Sequence, residues 1–319
     1  MRAQHDIGGT DEGPVDPHPH EPSLFDRRVD ALMMLLAAQC DFFSVDSQRR
    51  AGEDLAPDLY RGLAYYERWM HNIAVLMVER GQLTQAEIDR KVEAVRARVA
   101  RDHDRGQAYA AGHHHDHDHA HDWDEDGPPG EYAVLEEAIR ELSIEKGFFK
   151  AADVQRQIED MDARTPSQGA RLVAKAWTNP AFHNEVMRDA KAAAELLGID
   201  MTTSPPIRAV QNAPALHHMV VCTLCSCYPR ALLGVPPLWY KSRAYRARSV
   251  VDPRGVLAEF GTVLPDSTQI RVVDSTADLR YIVIPMRPEG TDAWTEAQLA
   301  PLVTRDAIIG VALARRPSA

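Results

Sequence analysis

The sequence predicts an α+β protein with an all-helical amino-terminal module that carries an extended arm, followed by a module of helices layered on a small β-sheet. Apolar residues recur at helical spacing over long stretches up to Gly198, and further downstream short runs rich in branched residues replace this pattern. Between the modules lies a polar, histidine-rich segment that cannot bury a core. We therefore divide the chain into residues 1–110, a linker at 111–130 and residues 131–319.

The composition excludes several classes of protein. The chain has 319 residues, of which 45% are hydrophobic and 26% charged, and these are ordinary values for a globular protein. Its net charge is -11 and its basic residues form no cluster, so we expect no nucleic-acid partner. The longest apolar run, Ala31 to Ala38, is too short to cross a bilayer, and the amino terminus lacks the apolar core of a signal peptide. We therefore expect a cytoplasmic protein with no membrane segment.

The first module is predicted to be an arm followed by helices. Residues 1–24 are rich in glycine and proline, which is typical of an extended arm that wraps another surface. A buried helix is predicted from Phe25 to Cys40, and Thr84 with Glu87 forms a capping box for a helix that reaches about Arg98. Between these helices, a single helix ended by Gly81 is predicted from the apolar stripe Leu59, Leu63, Tyr66, Met70, Ile73 and Met77.

The segment 111–130 differs from the rest of the chain. It holds six histidines and six acidic residues with no lysine or arginine, and it ends in Gly-Pro-Pro-Gly. Such a composition predicts a solvated linker, which is either a passive spacer or a weak ligand tract that gathers divalent metal.

The second module begins with helices and ends with strands. A helix is predicted from Tyr132 to Lys146, and a helical region from Ala170 to Leu197 that is interrupted at Asn179-Pro180. Strands are predicted at 268–274 and 280–285, and a further strand at Val250 to Phe260.

Three of the four cysteines fall in one six-residue window, Cys222-Thr-Leu-Cys225-Ser-Cys227. A closed structural zinc site needs four protein ligands, which Cys40 or a histidine would have to complete. A second solution uses the window alone: the sulfurs of Cys225 and Cys227 and the main-chain nitrogens of Ser226 and Cys227 form a planar claw, with Cys222 as the axial ligand. These strong-field donors favour trivalent cobalt or iron over zinc, and the claw leaves one coordination position open.

Several motifs of the second module resemble the alpha subunit of the nitrile hydratase and thiocyanate hydrolase family. They are Val220-Val-Cys-Thr-Leu-Cys-Ser-Cys-Tyr-Pro, Leu233-Gly-Val-Pro-Pro-Leu-Trp-Tyr-Lys-Ser, Arg254-Gly-Val-Leu-Ala-Glu-Phe-Gly, Arg280-Tyr-Ile-Val-Ile-Pro-Met-Arg-Pro and Val303-Thr-Arg-Asp. The resemblance implies that Cys222 stays a thiolate, Cys225 becomes a sulfinic acid and Cys227 a sulfenic acid. It also implies one cobalt(III) per chain in preference to iron(III), because Thr223 is the family's cobalt marker.

The first module resembles the amino-terminal half of the family's beta subunit through His5-Asp-Ile-Gly-Gly, Gly13-Pro-Val and Tyr65-Tyr-Glu-Arg-Trp. In that subunit an arginine clamps the oxidised cysteines from a position four residues before a glutamate and sixteen before the paired tyrosines. Arg49 meets both conditions, and Arg50 ranks second. The family also places the positions of Tyr65 and Trp69 at the substrate pocket, although packing in the core is an equal alternative for these two residues.

Two departures from the family pattern stand out. No segment corresponds to the small β-barrel of the beta subunit, so we expect a separate barrel subunit, a hetero-oligomer and possible help from a metallochaperone. The other departure is Arg230, which stands where nitrile hydratases commonly carry tryptophan. If Arg230 faces the pocket, it favours an anion such as thiocyanate.

The predicted function is cobalt-dependent hydration of a small nitrile to its amide. Arg49 orients the oxidised sulfurs, Cys227 provides a candidate nucleophilic oxygen, and Ser226 with Tyr65 relays the proton. Thiocyanate hydrolysis to carbonyl sulfide and ammonia is the first alternative. A non-catalytic metal-storage or metal-delivery protein is the alternative of another class; in that case the histidine tract binds the metal and the cysteines hold zinc. We expect His217 and His218, which precede the cysteine window, to be structural.

Overall fold

The computed structural model describes residues 4–18, 22–112 and 130–317. The chain divides into two compact units, a helical unit at Ser23–Ile158 and a mixed unit that joins Glu159–Ala319 with Met1–Pro22. The predicted linker at 111–130 lies largely outside the described residues, so the three-part division of the chain stays a prediction. Among the residues that are described, no helix is both long and apolar enough to cross a membrane.

The helical unit consists of helices joined by short connections. Its elements are α1 (Leu24–Met34) with a π-helical turn at Leu35–Gln39, α2 (Val45–Glu53), α3 (Pro57–Gly62), α4 (Tyr65–Glu79), α5 (Gln85–Gly112), α6 (Glu131–Glu145) and α7 (Ala151–Ala163), which runs into the mixed unit. The helix predicted at 25–40 is confirmed. It begins at a capping box in which Ser23 and Asp26 bind each other's main-chain N–H.

The prediction of a single helix along the apolar stripe is wrong, because the stripe is divided between two helices, α3 and α4. Leu63 has an extended conformation, and the Glu67 carboxylate accepts the N–H of Ala64 at 2.8 Å to start a new helix. Arg68 donates to the carbonyls of Tyr60 and Leu63 that the break leaves open. The stripe is therefore buried only in its second half, along α4.

The capping box predicted for α5 is confirmed, and α6 matches the helix predicted from Tyr132 to Lys146. The Glu87 carboxylate accepts the Thr84 N–H at 2.7 Å, and the Thr84 hydroxyl accepts the Glu87 N–H at 3.2 Å. Gly147 follows α6 with a φ of 74°, a left-handed conformation that glycine adopts at little cost. α5 extends beyond the predicted end at Arg98 as far as Gly112, and no proline lies between these two residues to end the helix earlier.

The mixed unit places helices around two short pairs of parallel strands. Its elements are α8 (Ser167–Thr178), α9 (Pro180–Arg188), α10 (Ala190–Glu195), β1 (Ile207–Gln211), β2 (Leu216–Val221), α11 (Arg230–Leu233), α12 (Leu238–Lys241), α13 (Arg243–Arg248), α14 (Pro253–Glu259), β3 (Gln269–Asp274), β4 (Arg280–Ile284), α15 (Glu296–Leu299), a 3-10 turn (Ala300–Leu302) and α16 (Arg305–Ile309). β1 pairs with β4 and β2 with β3. The predicted fold class and the two predicted strands that became β3 and β4 are confirmed, whereas β1 and β2 had not been predicted.

The strand predicted at Val250 to Phe260 is wrong, because this segment forms helix α14. The Asp252 carboxylate accepts the Gly255 N–H at 2.9 Å, and Pro253 occupies the first turn. The Asp-Pro-Arg-Gly sequence is therefore a helix cap and not part of a strand.

The extended arm packs on the mixed unit of the same chain. Ile7 and Val15 are buried, and the Gly9 N–H donates to the Ala247 carbonyl at 2.7 Å. The Val15 N–H donates to the Glu259 carboxylate at 2.9 Å. The arm is thus part of the unit that carries the three neighbouring cysteines.

Candidate metal centre

Strand β2 delivers the cysteine window to the core of the mixed unit. Five of its six residues are buried, and its last residue, Val221, pairs with Asp274 at the end of β3. Because parallel strands end at the same edge, the loop that follows Val221 begins beside Asp274. Gly310 has a φ of 86°, and a Cβ there would overlap the His218 carbonyl, so this strand packs closely on the end of α16.

The sulfur atoms of Cys222, Cys225 and Cys227 lie within 4.8 Å of one another. Cys225 Sγ is 3.5 Å from Cys222 Sγ and 3.3 Å from Cys227 Sγ. Cys222 and Cys227 are buried and Cys225 is partly exposed. The three predicted sulfur ligands are therefore together, and one side of the cluster is accessible.

The protonation chemistry of this cluster suits a cation. Hydrogen bonding with the Cys225 thiol raises the pKa of Cys222 to about 11. Hydrogen bonds with Cys222 and Cys225, together with burial, also raise the pKa of Cys227. Without a cation, Cys222 and Cys227 keep their protons, because neighbouring thiolates repel one another. A metal ion that replaces these protons removes the repulsion, so the donor set fits a thiolate-bound metal.

The residues considered as a fourth zinc ligand are engaged elsewhere. The Cys40 thiol belongs to the helical unit and donates to the Phe148 carbonyl at 3.5 Å. His217 bonds through one ring nitrogen to Asn212 at 3.1 Å and through the other to the Gly310 carbonyl at 2.7 Å. Within the part of the chain that is described, no histidine joins the three sulfurs. These contacts agree with the structural role predicted for His217.

The loop is anchored by residues that sequence reasoning missed. The Asp274 carboxylate accepts the Thr223 N–H at 3.0 Å and the Thr223 hydroxyl proton at 2.5 Å. The Tyr240 hydroxyl donates to the Cys227 carbonyl at 2.9 Å, and Arg246 donates to the Thr223 carbonyl at 2.9 Å. Tyr240 lies within a motif that was noted, but no local spacing links these side chains to the cysteines.

Two further predicted site residues lie in or next to the loop. Ser226 is buried between Cys225 and Cys227. Arg230 begins α11 and is partly exposed. Burial raises the pKa of Tyr228, the residue after Cys227, and the charges of Arg305 and Arg230 act in the opposite direction, so the Arg230 guanidinium lies within electrostatic reach of the Tyr228 hydroxyl.

The predicted clamp arginines lie on α2 of the helical unit. The guanidinium of Arg49 is mostly buried, and its Nη1 is 3.2 Å from the Asp46 carboxylate. Arg50 is exposed and pairs with Asp54 at 2.8 Å and with Glu79. Both arginines therefore pair with exposed carboxylates of the helical unit, and the clamp role of Arg49, with Arg50 second, stays a prediction.

Tyr65 and Trp69 share one face of α4, with ring centroids 5.2 Å apart. Both are partly exposed, whereas Tyr66 and Met70 on the same helix are buried. The Tyr66 hydroxyl donates to the buried Asp30 carboxylate at 3.1 Å. The core stripe of α4 thus runs beside Tyr65 and Trp69, and their placement at a substrate pocket stays a prediction.

Comparison with known proteins relates both parts of the chain to one family. The family model of the nitrile hydratase alpha chain matches residues 130–312, and that of the amino-terminal part of the beta subunit matches residues 1–119. Thiocyanate hydrolase subunit gamma of Thiobacillus thioparus is 50% identical over 194 residues, which are 57% of this chain and 80% of that subunit. The alpha subunit of the high-molecular-weight cobalt-containing nitrile hydratase of Rhodococcus rhodochrous is 47% identical over 189 residues, or 59% and 93% of the two chains.

Solved structures and a beta-subunit relative agree with these matches. A recombinant thiocyanate hydrolase with partially modified cobalt centres superimposes with a TM-score of 0.55 at 46% identity, over 60% of this chain and 95% of that chain. An Fe-type nitrile hydratase of Comamonas testosteroni Ni1 has the same TM-score at 42% identity, over 57% and 89% of the two chains. The nitrile hydratase beta subunit of Pseudomonas putida is 36% identical over 92 residues, or 28% of this chain and 42% of that subunit. Because the family model of the nitrile hydratase alpha chain matches more than half its length, the chain belongs to the nitrile hydratase family.

Proposed function

We propose that this chain catalyses the hydration of a carbon–nitrogen triple bond, converting a small nitrile and water into an amide. The observation that carries the proposal is the group of three cysteine sulfurs within 4.8 Å of one another on the loop after β2. The cluster is mostly buried yet accessible at Cys225, as a site for a small substrate requires. The cobalt-containing and thiocyanate-hydrolysing relatives support the same chemistry.

In this proposal the cobalt(III) ligands are the sulfurs of Cys222, Cys225 and Cys227 and the main-chain nitrogens of Ser226 and Cys227. Cys222 stays a thiolate, while Cys225 carries a sulfinic and Cys227 a sulfenic group. Bound cobalt would supply a Lewis acid that polarises the nitrile or lowers the pKa of water. Thr223 and the cobalt-containing relatives favour cobalt over iron.

The side chains have separate tasks. The Arg49 guanidinium hydrogen-bonds to the oxygens of the oxidised cysteines and holds them in place. An oxygen, from water or from the Cys227 sulfenic group, bonds to the nitrile carbon while the nitrile nitrogen gains a proton through Ser226 and Tyr65. Where Cys227 provides the oxygen, the adduct keeps an S–O–C linkage, and a water oxygen then bonds to the sulfur as the old S–O bond breaks, which releases the imidic acid and restores the sulfenic group. In either case the imidic acid transfers its hydroxyl proton to nitrogen and becomes the amide. Trp69 borders the pocket and contacts the apolar part of the substrate.

We infer that a second polypeptide completes the enzyme. The chain spans 93% of the R. rhodochrous alpha subunit but only 42% of the P. putida beta subunit. A separate subunit with the missing β-barrel would account for this difference and would form a hetero-oligomer with this fused chain. Delivery of cobalt by a metallochaperone and a cytoplasmic location stay predictions from the sequence.

Thiocyanate is the second candidate substrate, because the gamma subunit of T. thioparus thiocyanate hydrolase is 50% identical to this chain. In that reaction thiocyanate and two waters give carbonyl sulfide, ammonia and hydroxide. Arg230, close to the residue that follows Cys227, would attract the thiocyanate anion.

Mass spectrometry and metal analysis test the proposal on protein purified with its co-expressed partners from cobalt-supplemented cells. We expect one cobalt per chain, two added oxygens on Cys225 and one on Cys227. Zinc with three unmodified cysteines in the assembled complex would contradict the proposal and favour metal storage. Turnover assays with aliphatic nitriles and with thiocyanate then distinguish the two substrates.

A further inference from the structure

Arg246 on α13 lies between the cysteine loop and the amino-terminal arm. It is 2% exposed. Its Nε donates to the Cys222 carbonyl at 3.3 Å, and its Nη2 donates to the Thr223 carbonyl at 2.9 Å. The same Nη2 donates to the His5 carbonyl of the arm at 3.2 Å. One buried guanidinium therefore joins two segments that are more than two hundred residues apart in sequence.

The charge of Arg246 has an unusual environment. Across residues 4–18, 22–112 and 130–317, it forms no ion pair with a carboxylate and donates only to main-chain carbonyls. A buried charge of this kind is costly unless its surroundings compensate it. Three sulfur ligands and two deprotonated amides carry more negative charge than trivalent cobalt carries positive charge, so the loaded loop would provide that compensation.

Two other arginines of α13 also hold the arm on the mixed unit. Arg243 binds the Glu12 carboxylate through two hydrogen bonds of 2.9 and 2.6 Å. Arg248 donates to the Gly13 carbonyl at 3.2 Å. Both arginines lie on α13, but Arg246 is the one that also reaches the cysteine loop.

We propose that Arg246 is a positioning residue that couples docking of the arm to the conformation of the loop Cys222–Cys227. With the arm in place, the His5 carbonyl holds the guanidinium against the carbonyls of Cys222 and Thr223. Without the arm, the guanidinium loses one of its three acceptors, and it then holds the carbonyls of Cys222 and Thr223 less rigidly. The inference rests on the proposed function in that this loop is the one that binds cobalt.

Hydrogen–deuterium exchange of the full chain purified without cobalt tests the coupling. Lysine keeps the charge of Arg246 but lacks the planar fork that reaches several acceptors. In Arg246→Lys we expect the peptides that cover residues 222–228 and 4–18 to exchange roughly tenfold faster than in the wild type. The matched control is Arg254→Lys, because Arg254 also donates to three carbonyls, those of Leu264, Pro265 and Thr268, away from the cysteines. The Arg254→Lys variant should leave the exchange rates of both peptides unchanged.

A change in the arm tests the coupling from the other side. Gly9 has a φ of 81°, and a Cβ there would lie 3.1 Å from Val251 Cγ1, so Gly9→Val should displace the arm. We expect the loop peptide to exchange faster in this variant, although no loop residue is changed. In the double variant with Arg246→Lys, the loop should exchange no faster than in the faster single variant. This arm variant also decides the question if Arg246→Lys fails to fold.

Cobalt content after expression in cobalt medium is the second readout, and it should fall at least about twofold in both single variants. Unchanged exchange of the loop in either folded variant would overturn the coupling, even if the wild type is fully loaded with cobalt. If instead the wild type takes up no cobalt, the proposed function fails, but the exchange experiment still decides whether arm and loop are coupled.

Discussion

Thr223 shows how single residues fix the candidate metal site. Asp274 accepts its N–H and its hydroxyl proton, and Arg246 donates to its carbonyl. All polar groups of this residue are thus held by charged side chains of other elements. Such anchoring reduces the conformational freedom that the loop would lose on binding a metal.

His217 on β2 is held in its neutral form. The His218 N–H donates to Asn212 Oδ1 at 2.7 Å, which orients the amide so that its NH2 group donates to His217 Nδ1. The second ring nitrogen therefore carries the proton and donates to the Gly310 carbonyl. Burial lowers the pKa of His217, and the Gly310 carbonyl partly opposes this effect.

We expect this histidine to make stability depend on pH. Since its pKa is lower in the folded than in the unfolded protein, the unfolded chain binds the proton first as the pH falls. The contribution of His217 to the free energy of unfolding is complete above about pH 6.5 and is lost as the pH falls from there towards the folded pKa. In His217→Gln, urea unfolding should show a weaker dependence on pH between about 5 and 6.5.

His183→Gln is the control for this measurement, because His183 lies partly exposed on α9 with its Nε2 3.1 Å from Gln211. It should retain the wild-type dependence on pH. Burial also lowers the pKa of His218, so some dependence remains in His217→Gln. An unchanged slope in His217→Gln would show that His217 is not buried in its neutral form.

At the scale of elements, the contact between α16 and β2 supports the strand that leads to the cysteines. Gly310 ends α16 with a φ of 86°. A Cβ there would overlap the His218 carbonyl and lie 3.1 Å from Met219 Cα. Both neighbours are main-chain atoms of β2, so neither can move without displacing the strand.

We therefore expect Gly310→Ala to lower the free energy of unfolding by about 3 kcal/mol, from left-handed strain and main-chain overlap together. The matched control is Gly290→Ala: Gly290 has a φ of 75° and no atom lies within 4 Å of its added Cβ. That substitution should cost only about 1 kcal/mol. Equal losses of stability in the two variants, measured by urea unfolding, would rule out a close packing of α16 on β2.

For the molecule as a whole, deletion of the histidine-rich segment distinguishes a catalytic metal site from a metal-storage protein. If the cysteine cluster is the metal site, deletion of residues 113–121 should slow cobalt loading at most and leave the final cobalt content near one per chain. If the chain stores metal through its histidines, the same deletion should abolish metal binding. Metal content measured at several times after cobalt addition distinguishes the two, with a glycine–serine replacement of equal length as the control for linker length.

Much of the fold could be predicted because its signals are local. The capping box at Thr84, the helix that ends just before Gly147 and the branched runs of β3 and β4 depend on residues only a few positions apart. The errors arose where two local signals compete. Asp252-Pro253 is compatible both with a turn and with a helix cap, and the side chain of Asp252 favours the helix by binding the Gly255 N–H. The stripe through Leu63 has helical spacing, but Glu67 starts a new helix after it.

The three sulfur atoms of the candidate metal site could be predicted from the sequence alone, because three cysteines in a six-residue window must share one short loop. The sequence also determined the family, through motifs whose order spans the chain. What holds that window in place depends on how the chain folds: the pairing of β2 with β3 brings Asp274 to Thr223, and α13 brings Arg246, which also contacts the arm, to Cys222. These contacts join residues from 24 to more than 200 positions apart. No periodicity or spacing encodes them, because they depend on how the elements pack.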